Sequence, residues 1–316
     1  MSMSSRREMA LLVGDNPFHG ISHLSQQRAR VRGDASNHIE YAADLIVTSV
    51  NNGANGFMFS VSDTTLSILK VLRKRGEIER LSLYAIIPYA YEYVRLANQL
   101  GGILGLGKKF AKEILASGDL RALAFGLKGV LWKDPLSILK AYLSYEISRV
   151  RSSAGRQANL QSVLLHQLVT DMALGLNLDS IFRVYVEFAR KLGVAPGFNT
   201  GNFPYLVKKF REWNIDLHGM VVAAPFNKVG FQMTPSRVEC EEALKSLPES
   251  SLIAISVLGA GYLTPAEAID YVATLPNVKG VAVGVSRESH ACETFRLLEE
   301  KMCAQMAEVT PQVFST

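Results

Sequence analysis

Cysteine is scarce in this chain: Cys240, Cys292 and Cys303 are odd in number and show no CxxC spacing. That excludes a disulfide framework and a cysteine-based metal site, and it predicts a reduced, cytoplasmic setting. Long apolar runs are also missing. No run of about 18 or more apolar residues free of charge appears, so no transmembrane segment is expected. The N-terminal MSMSSRRE leads into only a few apolar residues before Gly14 and Asp15, too few for a signal-peptide core. Charge of one sign is not in marked excess either. The formal net charge is +5, and the basic residues lie along helix-like stretches without interleaved aromatics, which argues against a nucleic-acid partner. Finally, the first apolar run passes into Gly14-Asp15-Asn16-Pro17, which lacks the GxGxxG of an open dinucleotide-binding sheet.

What the chain has is rhythm. Short runs rich in Val, Ile, Leu or Phe recur at ALLVGD (10–15), GFMFSVS (56–62), LYAIIPY (83–89), SVLLHQ (162–167), VAPGFNT (194–200), GMVVAAP (219–225), LIAISVL (252–258) and GVAVGVS (280–286). Longer stretches with helical spacing separate them. HIEYAADLIVTSVNNG sets Ile39, Ala42, Ala43, Ile46 and Val50 on one stripe and stops at Gly53. LDSIFRVYVEFARKLG follows the same logic, and TPAEAIDYVATLP opens with Thr264 as cap, Pro265 at the first helical position and Glu267 three residues after the cap. Strict alternation of strand and helix implies parallel pairing, because parallel neighbours need crossover connections. Eight units in 316 residues predict one α/β domain over 1–316, a closed (β/α)8 TIM barrel.

One interval breaks the rhythm. Strands three and four are separated by about twice the usual spacing, and the excess contains QLGGILGLGKKFAKEIL, DLRALAFGLKGVL and DPLSILKAYLSYEISRVRS. These stretches predict a helical insertion over 92–157 that packs on the barrel or on a second subunit of a homo-oligomer. A lid, or an amphipathic surface for a membrane or partner, is the alternative.

In such a barrel the active site is built at the carboxyl ends of the strands, which sorts the polar residues. Strand one ends in Asp15, Asn16 and His19; strand two in Ser60, Ser62 and Asp63; strand three in Tyr89 and Tyr91; strand four in His166 and Gln167. Strand five ends in Asn199, Thr200 and Asn202, strand six in Asn227 and Lys228, and strand eight in Ser286, Arg287 and Ser289. Each also has a purely structural role open to it. Asp15-Asn16-Pro17 is a good turn sequence. His19 and His23, four apart, are spaced to share a metal on a helix, but no third ligand clusters with them. His166 is either a hydrogen-bonded core histidine or a catalytic imidazole, which with Asp15 would make an acid–base pair for an isomerase. Lys228 is either solvated or, with a lowered pKa in an apolar setting, a Schiff-base amine of a lyase or aldolase. LGAGYLTPAEA and VGVSRESHACETF place Gly259, Gly261, Ser286, Arg287 and Ser289 at helix starts, where free N–H groups attract phosphate of a substrate or nucleotide.

The stretch from LLHQ (164–167) through GFNTGNFPYLVKKFREW (197–213) to AISVLGAGYLTPAEAIDYVATLPNVKGVAVGVSRESHACETFRLL resembles the aldo/keto reductases. In that family strand five runs into a G-x-S-N-F-like turn and strand eight into a G-x-S-x-x-x-H-like cofactor loop. The resemblance covers roughly the last 150 residues and implies an oxidoreductase acting on a small carbonyl compound with NADP(H). It further implies cofactor contacts from Gly261, Ser286, Arg287 and Ser289, with Asn199 at the end of strand five. The family's catalytic set is Asp, Tyr, Lys and His. Asp63-Thr64-Thr65 matches the first loosely and His166 the last, but Ile68 stands where the Tyr is expected and strand three has no lysine. Tyr89 or Tyr91 is then the candidate proton donor.

Overall fold

The computed structural model describes residues 9–19, 35–88, 98–99, 109, 112–113, 122, 124–126, 135–247 and 251–308. Eight strands close into a barrel in sequence order: β1 (Ala10–Gly14), β2 (Gly56–Ser60), β3 (Ser82–Ile87), β4 (Asn159–Leu165), β5 (Ala195–Asn199), β6 (Val221–Pro225), β7 (Ser251–Ile255) and β8 (Val278–Gly284). Every neighbouring pair is parallel, and β8 returns to β1 in the register Gly14↔Gly284. The predicted (β/α)8 architecture is therefore the observed one.

The helices between the strands are α1 (Ala35–Val50), α2 (Asp63–Lys74), α3 (Pro135–Ala154), α4 (Gln167–Gly175), α5 (Asp179–Lys191), α6 (Phe203–Glu212), α7 (Arg237–Lys245), α8 (Pro265–Ala273) and α9 (Glu288–Glu308). Local chemistry fixes several of their starts. Ser62 and Thr65 form a reciprocal capping box on α2, and Thr264 and Glu267 form another on α8, which carries Pro265 in its first turn as the sequence predicts. Asn202 caps α6, and Ser236 caps α7. Of the long interval between β3 and β4, α3 and scattered residues are described; the remainder of the expected 92–157 insertion lies outside the described residues. Among the described residues no helix is long and apolar enough to cross a membrane.

Strand alternation divides the core in two. Outward residues such as Phe57, Phe59, Leu83, Val163, Phe198, Val222 and Val281 meet the helices in one large apolar cluster. Inward residues, among them Leu12, Met58, Tyr84, Ile86, Leu164, Ala223, Ile253 and Ala282, fill the barrel. Its taper demands small residues: a Cβ on Gly56 would lie 2.5 Å from the Ser82 carbonyl oxygen and 2.6 Å from Leu12 Cδ2. The interior is packed, so chemistry is confined to its carboxyl-terminal mouth.

Candidate active site

The inward parity of β4 and β5 carries through to their ends. His166 follows Leu164 in that alternation, and Asn199 follows Ala195 and Gly197, so both belong to the uppermost inward layer, with Ser60 of β2. His166 is also the cap of α4: its Nδ1 accepts a hydrogen bond from the Leu168 N–H at 3.1 Å. A nitrogen that accepts cannot carry a proton, so the ring proton sits on Nε2. Burial pushes the imidazole's pKa down, while the nearby negative charge of Asp15 opposes the shift. His166 is accordingly a neutral N–H donor near pH 7.

Asp15 follows β1 and lies near enough for its charge to act on His166. It is 5% exposed, and its Oδ2 accepts the Ser60 N–H at 2.6 Å while lying 3.1 Å from His19 Nε2. The turn Asn16–His19, closed by the Phe18 N–H to the Asp15 carbonyl, explains how a turn sequence and a buried carboxylate coexist: backbone makes the turn, and the side chain is left to face β2. His19 thus partners Asp15, and His23 lies outside the described residues. Among the described residues no group of three His, Cys, Asp or Glu side chains could hold a metal.

Asn199 presents the one buried side-chain atom without a hydrogen-bond partner among the described residues, its Oδ1. The turn after it is held from α4. Asp171 accepts the Thr200 hydroxyl at 2.6 Å and the Gly201 N–H at 3.0 Å. Burial raises the Asp171 pKa, and its bonds to Thr200, Gly201 and Gln167 oppose the rise. This clamp is not legible in the sequence, although an Asp five residues beyond His166 and a Thr-Gly pair directly after Asn199 are its components.

Other expected residues lie elsewhere. Ser62 takes the cap, so Asp63 is already the first residue of α2, with its side chain 82% exposed and ion-paired with Arg149 of α3 at 2.7 Å. Lys228 is exposed and lies close enough to Glu267 to help lower that carboxyl's pKa, after the larger effects of the Thr264 N–H and hydroxyl. An exposed ammonium lacks the apolar surroundings that a Schiff-base amine needs. Tyr89 and Tyr91 lie outside the described residues.

At the last two strands, Gly261 ends a turn in which Gly259, Ala260 and Gly261 all have positive φ. A Cβ on Gly259 would lie 2.7 Å from Val229 Cγ2, so this turn packs on the loop after β6. The start of α8 beyond it is already occupied by the Glu267 carboxylate, which accepts from Thr264 at 3.0 and 2.8 Å. The start of α9 is different. Arg287 and Ser289 are exposed, Ser286 is partly buried, and the first intrahelical bond runs from the Ala291 N–H to the Arg287 carbonyl.

No family model and no curated protein matches the chain. Two solved structures from Pseudomonas aeruginosa, each provisionally assigned as an aldo-keto reductase, superpose with TM-scores of 0.57 and 0.56. Both alignments cover 92% of this chain and 90% of the other, at 13% and 14% identity. The chain thus has the (β/α)8 barrel fold of structures assigned to the aldo-keto reductases, which is the architecture its sequence resemblance implied.

Proposed function

We propose that the barrel is an oxidoreductase of aldo/keto reductase type, binding NADP(H) across its mouth and acting on a small polar carbonyl compound. The observation that carries this reading is the buried, unpartnered Asn199 Oδ1 in the same inward layer as His166. Orphaned polar atoms cost stability and persist where a ligand completes them. A carboxamide such as that of nicotinamide offers the N–H donors that Oδ1 lacks, so the residues present fit the cofactor at this end.

At the other end Arg287, with Ser286 and Ser289 at the start of α9, would hold phosphate through a guanidinium and free backbone N–H groups. Gly261 would line its path as backbone. When bound, the nicotinamide would supply the hydride. The chain's own contribution is orientation and charge: His166 Nε2–H would meet the substrate oxygen and stabilise the negative charge that develops there. The family's Tyr and Lys are not matched, and Tyr89 is the candidate donor of the final proton. Asp15, rather than Asp63, is the carboxylate that biases His166.

Titration of intrinsic fluorescence with NADPH tests the reading. Saturation in the micromolar range is expected, weakened at least tenfold by Arg287→Ala and by Asn199→Leu. Absence of binding at millimolar NADPH would remove the proposal.

A further inference from the structure

We infer that the mouth also catalyses a cofactor-independent reaction, proton transfer at the carbon beside the carbonyl of small α-hydroxy aldehydes and ketones, with Asp15 as base and His166 meeting the carbonyl oxygen. The inference shares His166 with the reductase reading but does not rest on cofactor binding.

Two features of the geometry lead to it. Asp15 is a carboxylate withdrawn from water at the end of β1, held on one oxygen: the Ser60 N–H lies 2.6 Å and His19 Nε2 3.1 Å from Oδ2. Both side chains are almost fully buried, 7% exposed for His19 and 6% for Asp15. No hydrogen bond to Oδ1 is found among the described residues, which leaves that oxygen to accept a proton. His166, in the inward layer of the same mouth, is fixed as the Nε2–H tautomer by the Leu168 N–H at 3.1 Å. It stands at the cap of α4, where the helix dipole resists a positive charge. A neutral imidazole at a helix start, set to polarise a carbonyl, together with a carboxylate base is the pairing by which barrel enzymes enolise carbonyl compounds.

The step balances without a further reagent. The C–H bond next to the carbonyl breaks, and its proton passes to Asp15 Oδ1. The electron pair left behind forms a carbon–carbon double bond, and the carbonyl π pair moves to oxygen, where His166 Nε2–H stabilises it. Return of a proton from Asp15 to the same carbon restores the substrate. Where that carbon bears a hydroxyl, moving the hydroxyl proton through His166 and protonating the neighbouring carbon gives the aldose–ketose isomer.

The test is hydrogen–deuterium exchange of hydroxyacetone in D2O, followed by proton NMR with the full chain and no nucleotide. Exchange at least tenfold above the buffer blank is expected in the wild type, falling to the blank in Asp15→Asn. Exchange no faster than the blank in folded wild type, or undiminished in folded Asp15→Asn, overturns the inference. Should Asp15→Asn not fold, His19 provides the second measurement. His19→Ala is expected to slow exchange at least fivefold and His19→Gln, which restores an N–H donor, to recover most of it; equal rates in both and in wild type overturn the inference equally. Exchange without NADPH binding would refute the reductase reading alone, and NADPH binding without exchange would refute this one alone.

Discussion

At the scale of single residues, the proposed site would trade stability for chemistry, and the two can be measured apart. Asn199 keeps a buried oxygen without a partner. Leaving such an atom unsatisfied costs about 1–3 kcal/mol, so Asn199→Leu should raise the melting temperature while weakening NADPH binding. A fall in both would mean that the amide is structural. His166 gives a prediction with a definite sign. Burial holds its folded pKa below the ordinary value of 6.5, and Asp15 pulls the other way. Between the two values the unfolded chain binds more protons than the folded one. The contribution of His166 to stability is therefore whole above pH 6.5 and is lost as the pH falls through the lowered folded value. Asp15→Asn removes the opposing charge and should move the His166 ring titration to still lower pH in an NMR series; an upward move would place Asp15 outside its reach. The polar character of these strand ends was legible from sequence because alternation is a local property. The partner of Asp15 was not: the spacing of His19 and His23 drew attention to a shared metal, whereas the contact of His19 with Asp15 depends on the turn Asn16–His19.

At the scale of elements, α4 is the piece that ties the site together. Its cap is His166, and its Asp171 grips the turn directly after Asn199 through the Thr200 hydroxyl and the Gly201 N–H. The sequence did not announce this helix. Only Thr170, Ala173 and Leu174 of it are buried, while Leu168 is 50% and Met172 56% exposed, so its apolar stripe is too short to mark it. By contrast α5 and α8 were legible, since their apolar faces are buried and α8 carries its own capping box. Asp63 shows how little separates a mouth residue from a surface one: one further residue of helix at the start of α2 turns it outward to Arg149. Asp171→Asn weakens the hold on the Gly201 N–H, a bond to a charged acceptor, and should cost about 1–3 kcal/mol by denaturant melting. Because the same clamp sets Asn199, NADPH affinity should fall with it. Asp63→Asn, on an exposed ion pair worth about 0–1 kcal/mol, should leave cofactor affinity within twofold of wild type. A tenfold loss there would restore the family's assignment for that carboxylate.

At the scale of the whole molecule, the barrel exists only when its first and last strands meet. The β1–β8 seam joins residues some 270 apart, and no periodicity within either strand foretells that Gly14 will face Gly284. The two glycines are a consequence of closure. The turn that carries Asp15 and His19 folds over the seam, and a Cβ on Gly284 would lie 2.8 Å from Pro17 Cδ and 2.9 Å from Cγ. Pro17 cannot rotate its ring aside as a flexible side chain would, and the Phe18 N–H bond to the Asp15 carbonyl, at 2.8 Å, holds its turn in place. Gly284→Ala must therefore shift the turn or open the seam. Overpacking of this kind costs about 1–3 kcal/mol, a lowering of several degrees in melting temperature for a domain of this size. If the seam is part of one cooperative unit, unfolding followed by far-ultraviolet dichroism and by tryptophan fluorescence should remain coincident in the variant. Deuterium exchange of hydroxyacetone should fall, because Asp15 and His19 move with the turn, while NADPH affinity, proposed to rest on Arg287 beyond the end of β8, should fall less. An unchanged melting point would show that the turn yields freely, and Asp15 would then lack the rigid support that its role as a base requires.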